Sequence, residues 1–160
     1  MDNNYLYAVA NIRANELSLL SRADIDALID APDYKTALTL LDGKGYDTSF
    51  GSDYSAMLDG ETEKTWSLIK SVAPSAEALD IFIVKNDFQN LKAVLKSEKT
   101  GDDAEKYLVS PSVIPKELLL KAVKERDFDA LPDFISGAAE KCLEVITKTE
   151  NGQLCDIAAD

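Results

Sequence analysis

Histidine is missing from the whole chain of 160 residues. Its absence removes the commonest general base and the commonest metal ligand, and with them the histidine-based triads and zinc sites. Cysteine is scarce, with Cys142 and Cys155 the two present. Two thiols make no disulfide framework and point to a reducing compartment. Cys142 falls on an apolar stripe with Ile135, Ala139 and Ile146, so it reads as a buried structural thiol. Bases are in short supply too: 17 Lys and Arg stand against 29 Asp and Glu, for a net charge of -12. Such a surface repels nucleic acid and anionic headgroups, which excludes nucleic-acid binding as the main function and leaves solubility as the plain reading of the acidity. No apolar run approaches the roughly 20 residues that a membrane-spanning helix needs. The opening Met1-Asp2-Asn3-Asn4 lacks the basic start of a signal peptide. Any link to a membrane is therefore expected to be peripheral or through a partner.

What the chain does have is helical periodicity. Hydrophobic residues are 46% of it, enough to bury a core in one domain or two small ones. Leu6, Val9, Ile12, Leu17 and Leu20 predict one broad inward face on a helix from Tyr5 to Leu20. Ser21 and Asp24 have capping-box spacing, with Ile25, Leu28 and Ile29 following. Pro32 suits a first helical position. Tyr34, Ala37, Leu38 and Leu41 make the next apolar face, which Gly43 and Gly45 end. Residues 44–53 read as a loop. A helix from Tyr54 to Val72 is expected to turn Leu58, Thr65, Ile69 and Val72 inward, with Gly60 its weak point. Ser75 is a plausible N-cap for a long helix from Ala76 to Lys96. On that helix Ile81, Val84, Phe88, Leu91 and Leu95 share a face.

Residues 110–115, with two prolines, form an extended connector. Pro115 then opens a helix carrying Leu118, Leu119, Ala122 and Val123. A start near Pro132 leads to Phe134, Ile135, Ala139, Cys142 and Ile146. Asn151-Gly152 stops that helix, and Gln153 to Asp160 reads as a short tail. No segment alternates as a strand should. The expectation is an all-α bundle of about six to eight helices without significant sheet. Asp24 to Leu41 and Glu117 to Ile135 share an order (short helix, Asp-aromatic, Ala-Leu) that is either chance or an internal repeat.

The polar constellations carry little chemistry. Asp24, Asp26 and Asp30 lack the spacing and central glycine of a calcium loop, and Asp24 suits a helix N-terminus. Gly43-Lys44-Gly45 follows a helix, so it is a C-cap and not a phosphate loop. Ser21, Ser55 and Ser67 have no paired base. No catalytic residue, cofactor site or metal site is expected. Arg13 and Glu16 are three apart, either as a surface pair or as a buried pair tying the first helix to another segment. Asp87 and Asn90 share a face beside Leu91. They are either solvated or a polar joint between packed helices. Lys85, Lys92, Lys96 and Lys99 make a locally basic stripe, a candidate contact face in an acidic protein.

Three segments resemble one family. Residues 7–24, from Tyr7 through Arg13 and Glu16 to Asp24, are similar to the opening of the C subunit of the V-type (A-type) ATPases, called d in the eukaryotic enzyme. Asn11 and Asn15 stand where that family carries an arginine and a leucine. Asn86-Asp87-Phe88-Gln89-Asn90-Leu91-Lys92 resembles its Asp-aromatic-x-Asn-Leu-Lys helix. Val113-Ile114-Pro115 resembles the connector that starts its next repeat, in the same order along the chain. The resemblance implies a funnel-shaped, all-helical subunit with pseudo-threefold repeats, seated on the cytoplasmic side between the central shaft and the membrane rotor ring. It implies a socket that passes torque during proton or sodium transport and performs no chemistry. The motif residues are Tyr7, Arg13, Glu16, Asp87, Asn90 and Lys92. Lys85, Lys96 and Lys99 are the candidate interface. Residues 1–109 are expected to form a first repeat unit and 110–160 the start of a second. The family's chain is roughly twice as long, so a truncated or half-length copy is expected. The alternative is a stand-alone helical adaptor without a rotary link. An enzyme, resting on the acid clusters alone, is the weakest reading.

Overall fold

The structure, a computed structural model, describes residues 4–75 and 77–160. The expected polar opening at residues 1–3, and the helix start expected at Ala76, lie outside the described residues. All regular structure among the described residues is helical. The chain divides at residues 76 and 77 into two compact units. The repeat boundary expected at 109 and 110 falls inside the second of these, at the connector.

The first unit holds α1 (Asn4–Glu16), α2 (Arg22–Ile29), α3 (Tyr34–Asp42), a 3-10 turn at Thr48–Phe50 and α4 (Tyr54–Val72). Its helix starts were written in short polar side chains. Asp24 N donates to Ser21 Oγ at 3.2 Å and Ser21 N donates to Asp24 Oδ2 at 2.8 Å, which completes the capping box. Asp33, one residue after Pro32, accepts from Thr36 N at 2.8 Å and caps α3. Asp53 does the same for α4 through Ala56 N at 3.0 Å. Gly43 ends α3, and Gly45 takes a φ of 88° that suits a residue without a Cβ.

The first helix departs from expectation. It ends at Glu16 and not at Leu20, because Ser18 Oγ donates to the Asn15 carbonyl at 2.7 Å and Ser21 needs extended backbone to cap α2. The face expected to point inward does not: Leu6, Val9, Ile12 and Leu17 are exposed, and Ala8 is buried instead. Tyr5, Leu6, Tyr7, Val9 and Ile12 are spread round the helix, so small Ala8 marks the side that approaches α4. On α4, Met57 and Val72 are buried, Ile69 is half-buried, and Leu58 and Thr65 are exposed.

The second unit holds α5 (Asp80–Thr100), α6 (Lys116–Glu125), α7 (Asp133–Thr149) and α8 (Gly152–Ala159), with 3-10 turns at Glu77–Leu79, Ala104–Tyr107 and Phe128–Ala130. One core joins Leu91, Val94 and Leu95 of α5, Ile114 of the connector, Leu119 and Val123 of α6, Ile135, Ala139, Cys142 and Ile146 of α7, and Cys155 and Ala159 of α8. The inward residues read from sequence on α6 and α7 are largely those found, although Phe134 is exposed.

Two corrections concern this unit. The supposed tail after Asn151 folds as α8, because Asn151 Oδ1 accepts from Gln153 N at 2.9 Å and so starts a helix where it was read only as ending one. The buried face of α5 is also rotated from the one expected. Ile83, Asp87, Asn90, Leu91, Val94 and Leu95 point inward, while Ile81 is exposed. These are helical spacings, but two of the six residues are polar, so apolar periodicity alone selected the neighbouring face.

Candidate functional site

The inward polar residues of α5 form a clasp on the connector. A chain segment with no helix or strand partner must find its hydrogen bonds elsewhere, and residues 109–114 find them on α5. Asn90 makes a two-way contact with one residue's backbone: Val109 N donates to its Oδ1 at 2.8 Å, and its Nδ2 donates to the Val109 carbonyl at 3.0 Å. Asn86 Nδ2 donates to the Pro111 carbonyl at 2.7 Å. Asp87 accepts from Ile114 N at 2.8 Å and from Val113 N at 3.1 Å, one on each oxygen. Spacings of three and four residues set Asn86, Asp87 and Asn90 along one side of the helix. Asp87 is fully buried, and burial raises its pKa above the usual carboxylate range although both backbone N–H groups favour the charged form. The polar joint anticipated at Asp87 and Asn90 therefore exists, but it grips connector backbone and not another helix.

Next to the clasp, Lys92 and Lys96 of α5 face α8, and Lys99 faces the end of α7. Lys92 Nζ lies 2.7 Å from Asp160, Lys96 Nζ 2.5 Å from Asp156 and Lys99 Nζ 2.8 Å from Glu150. From Lys92 to Lys96 the partner number falls from 160 to 156, so α5 and α8 run antiparallel. Three of the four stripe lysines are thus bound to acids of their own chain. Lys85 is exposed and makes no ion pair among the described residues. The acids of α8 were missed in the sequence. The signal was there: Asp156 and Asp160 repeat the four-residue step of Lys92 and Lys96. Asn86 stands in the family-like motif, but nothing in its spacing marks it as a partner of the connector. Arg126, which pairs with Glu98 through two contacts of 2.8 and 3.0 Å, was not singled out.

The motif residues of α1 stand apart from this clasp. Tyr7 is exposed, and its hydroxyl accepts from Asn11 Nδ2 at 3.4 Å. Arg13 and Glu16 pair at 2.7 Å with side chains 74% and 43% exposed, which is the surface pair and not the buried tie. In the first unit, Asp24 is held at a pKa of about 2 by Lys44 and by Ser21, so its charge is already committed.

Little here suits bond-making. Among the described residues no group of three or more His, Cys, Asp or Glu side chains is placed to hold a metal. The cleft beside the connector, about 390 Å³, is bordered by Asn90, Glu105, Lys116 and Glu117. Its one buried polar side chain, Asn90, is spent on Val109. The arrangement fastens backbone to helix and helix to helix. No described helix is long and apolar enough to cross a membrane.

Known proteins carry the same sequence pattern. The family described as ATP synthase (C/AC39) subunit matches residues 8–160. The C subunit of the V-type sodium ATPase of Enterococcus hirae is 27% identical over 141 residues, covering 83% of this chain and 43% of that protein. The chain thus spans less than half the length of this curated relative. No solved structure matches the chain.

Proposed function

Because the chain belongs to the ATP synthase (C/AC39) subunit family, that of an accessory, non-catalytic stalk subunit of the V-type ATPase, we propose that it acts as a mechanical coupling in the central stalk. In this reading it seats the rotating shaft against the membrane rotor ring on the cytoplasmic side and serves proton or sodium transport without chemistry of its own. The observation that carries the reading is the family match, which runs from residue 8 to residue 160.

The clasp supports it. A coupling must carry load without shearing, and a close-packed helical core fastened by fully satisfied buried polar groups resists shear. Asn86, Asp87 and Asn90 fix the connector to the longest helix, so α5, residues 109–114 and α6 move as one body. Division into a repeat over 1–109 and the start of another over 110–160 belongs to the same proposal. So do contacts to shaft or ring through exposed Tyr7, Arg13, Glu16 and Lys85.

The test is recovery from solubilised host membranes on the tagged chain. V-type ATPase subunits are expected in the eluate, and less of them with Lys85→Glu. Recovery of the chain with no ATPase subunit overturns the reading and favours a stand-alone helical adaptor.

A further inference from the structure

Cys142 of α7 and Cys155 of α8 meet inside the second unit. Both are fully buried and both are reduced. Cys142 Sγ donates to the Cys155 carbonyl at 3.5 Å, which sets the two residues against each other across α7 and α8. Neither belongs to the clasp, and the proposed coupling uses neither. In place they are silent. Burial pushes the Cys142 thiol up to about 12 and raises that of Cys155 as well, so almost no thiolate forms at neutral pH.

Their cover is α8, and its seat is shallow. The helix has eight residues. Cys155 and Ala159 are its buried side chains, while Leu154 and Ile157 face away from the core. It also packs along α7, with Ala158 against the core, and two lysines of α5 reach it, Lys92 through Asp160 and Lys96 through Asp156. The acids they reach, Asp160 and Asp156, are 69% and 38% exposed. Exposed pairs are individually weak and are screened by salt. A short helix held this way opens locally far more often than the whole unit unfolds.

We propose that Cys142 and Cys155 form a masked dithiol, a modification site that a low-molecular-weight disulfide reaches when α8 lifts from α7 and α5, and that the reaction joins the two sulfurs and locks α8 to α7. The chemistry balances with oxidised glutathione as the oxidant. One cysteine thiolate attacks its S–S bond, forms a mixed disulfide and releases one glutathione thiolate. The second cysteine thiolate attacks the protein sulfur of that mixed disulfide, forms the Cys142–Cys155 bond and releases the second glutathione. Two electrons pass from the cysteine pair to glutathione, and the two thiol protons end on the two released thiols.

The experiment incubates the whole chain with oxidised glutathione and follows its mass. The parent is expected to lose two hydrogen atoms and retain no glutathione, whereas Cys142→Ser retains one. Removing the ionic hold with Lys92→Gln and Lys96→Gln together should speed the reaction about fourfold, since each pair changes the open population by about twofold. Lys96→Gln alone should speed it about twofold. Equal rates in parent and lysine variants overturn the proposal. So does a parent that stays fully reduced while its lysine variants do, or one that accumulates glutathione adducts without the intrachain bond.

Discussion

At Asp87 a carboxylate sits fully buried and receives two backbone N–H groups. Removing it strands both donors. Asp87→Ala is therefore expected to destabilise the second unit by about 2–4 kcal/mol, read as a fall in the urea midpoint at constant slope. Asp87→Asn should lose less, because its amide oxygen still serves one donor. The direction with pH follows from burial. The folded pKa is raised above the unfolded one, so the native state binds this proton more tightly. That contribution is fully present below the unfolded carboxylate pKa of about 4 and is lost as pH rises through the folded value. The stability of the parent minus that of Asp87→Asn should accordingly shrink as pH rises from about 3 to about 7. A difference that grows instead would mean the two N–H groups outweigh desolvation.

Helix ends decide much at the scale of elements. Three C-caps of the second unit take left-handed backbone: Gly101 at φ 78°, Arg126 at φ 60° and Glu150 at φ 55°. Glycine takes it without a steric penalty, while a side chain there costs about 1 kcal/mol. Glu150 offsets the strain only through its exposed pair with Lys99. Glu150→Gly should therefore raise the melting temperature of the second unit by about 2–4 °C. Arg126 differs, since its fork makes two contacts with Glu98, and Arg126→Gly should come out close to neutral. Calorimetry of the two variants separates these outcomes; a stabilised Arg126→Gly would show that the ion pair contributes nothing.

Across the whole molecule the two units differ in how much they bury. Among the described residues the first has Ala8, Met57 and Val72 as its buried apolar residues, and the second a core running through α5, α6, α7 and α8. Native-state hydrogen exchange should show amides of α5 and α7 outlasting those of α1, α2 and α3; equal protection would mean that burial does not set local stability here. Much of this was legible in the chain. The Ser21–Asp24 box, the glycines after α3 and the stripe Ile135, Ala139, Cys142 and Ile146 are local features, each set by neighbours within a turn or two, and they appear where periodicity and capping chemistry put them. The resemblance also rested on short motifs, and the family match bears it out. The clasp and the antiparallel lysine–acid ladder between α5 and α8 were not legible in this way. Both join residues that are tens of positions apart, and a polar side chain carries no mark saying whether it will meet water or a distant backbone. Composition and spacing by themselves determined an all-helical protein. Tertiary packing alone decided which face of α5 turned inward, because burying Asp87 and Asn90 is favourable only once the connector supplies the hydrogen bonds that water gives up.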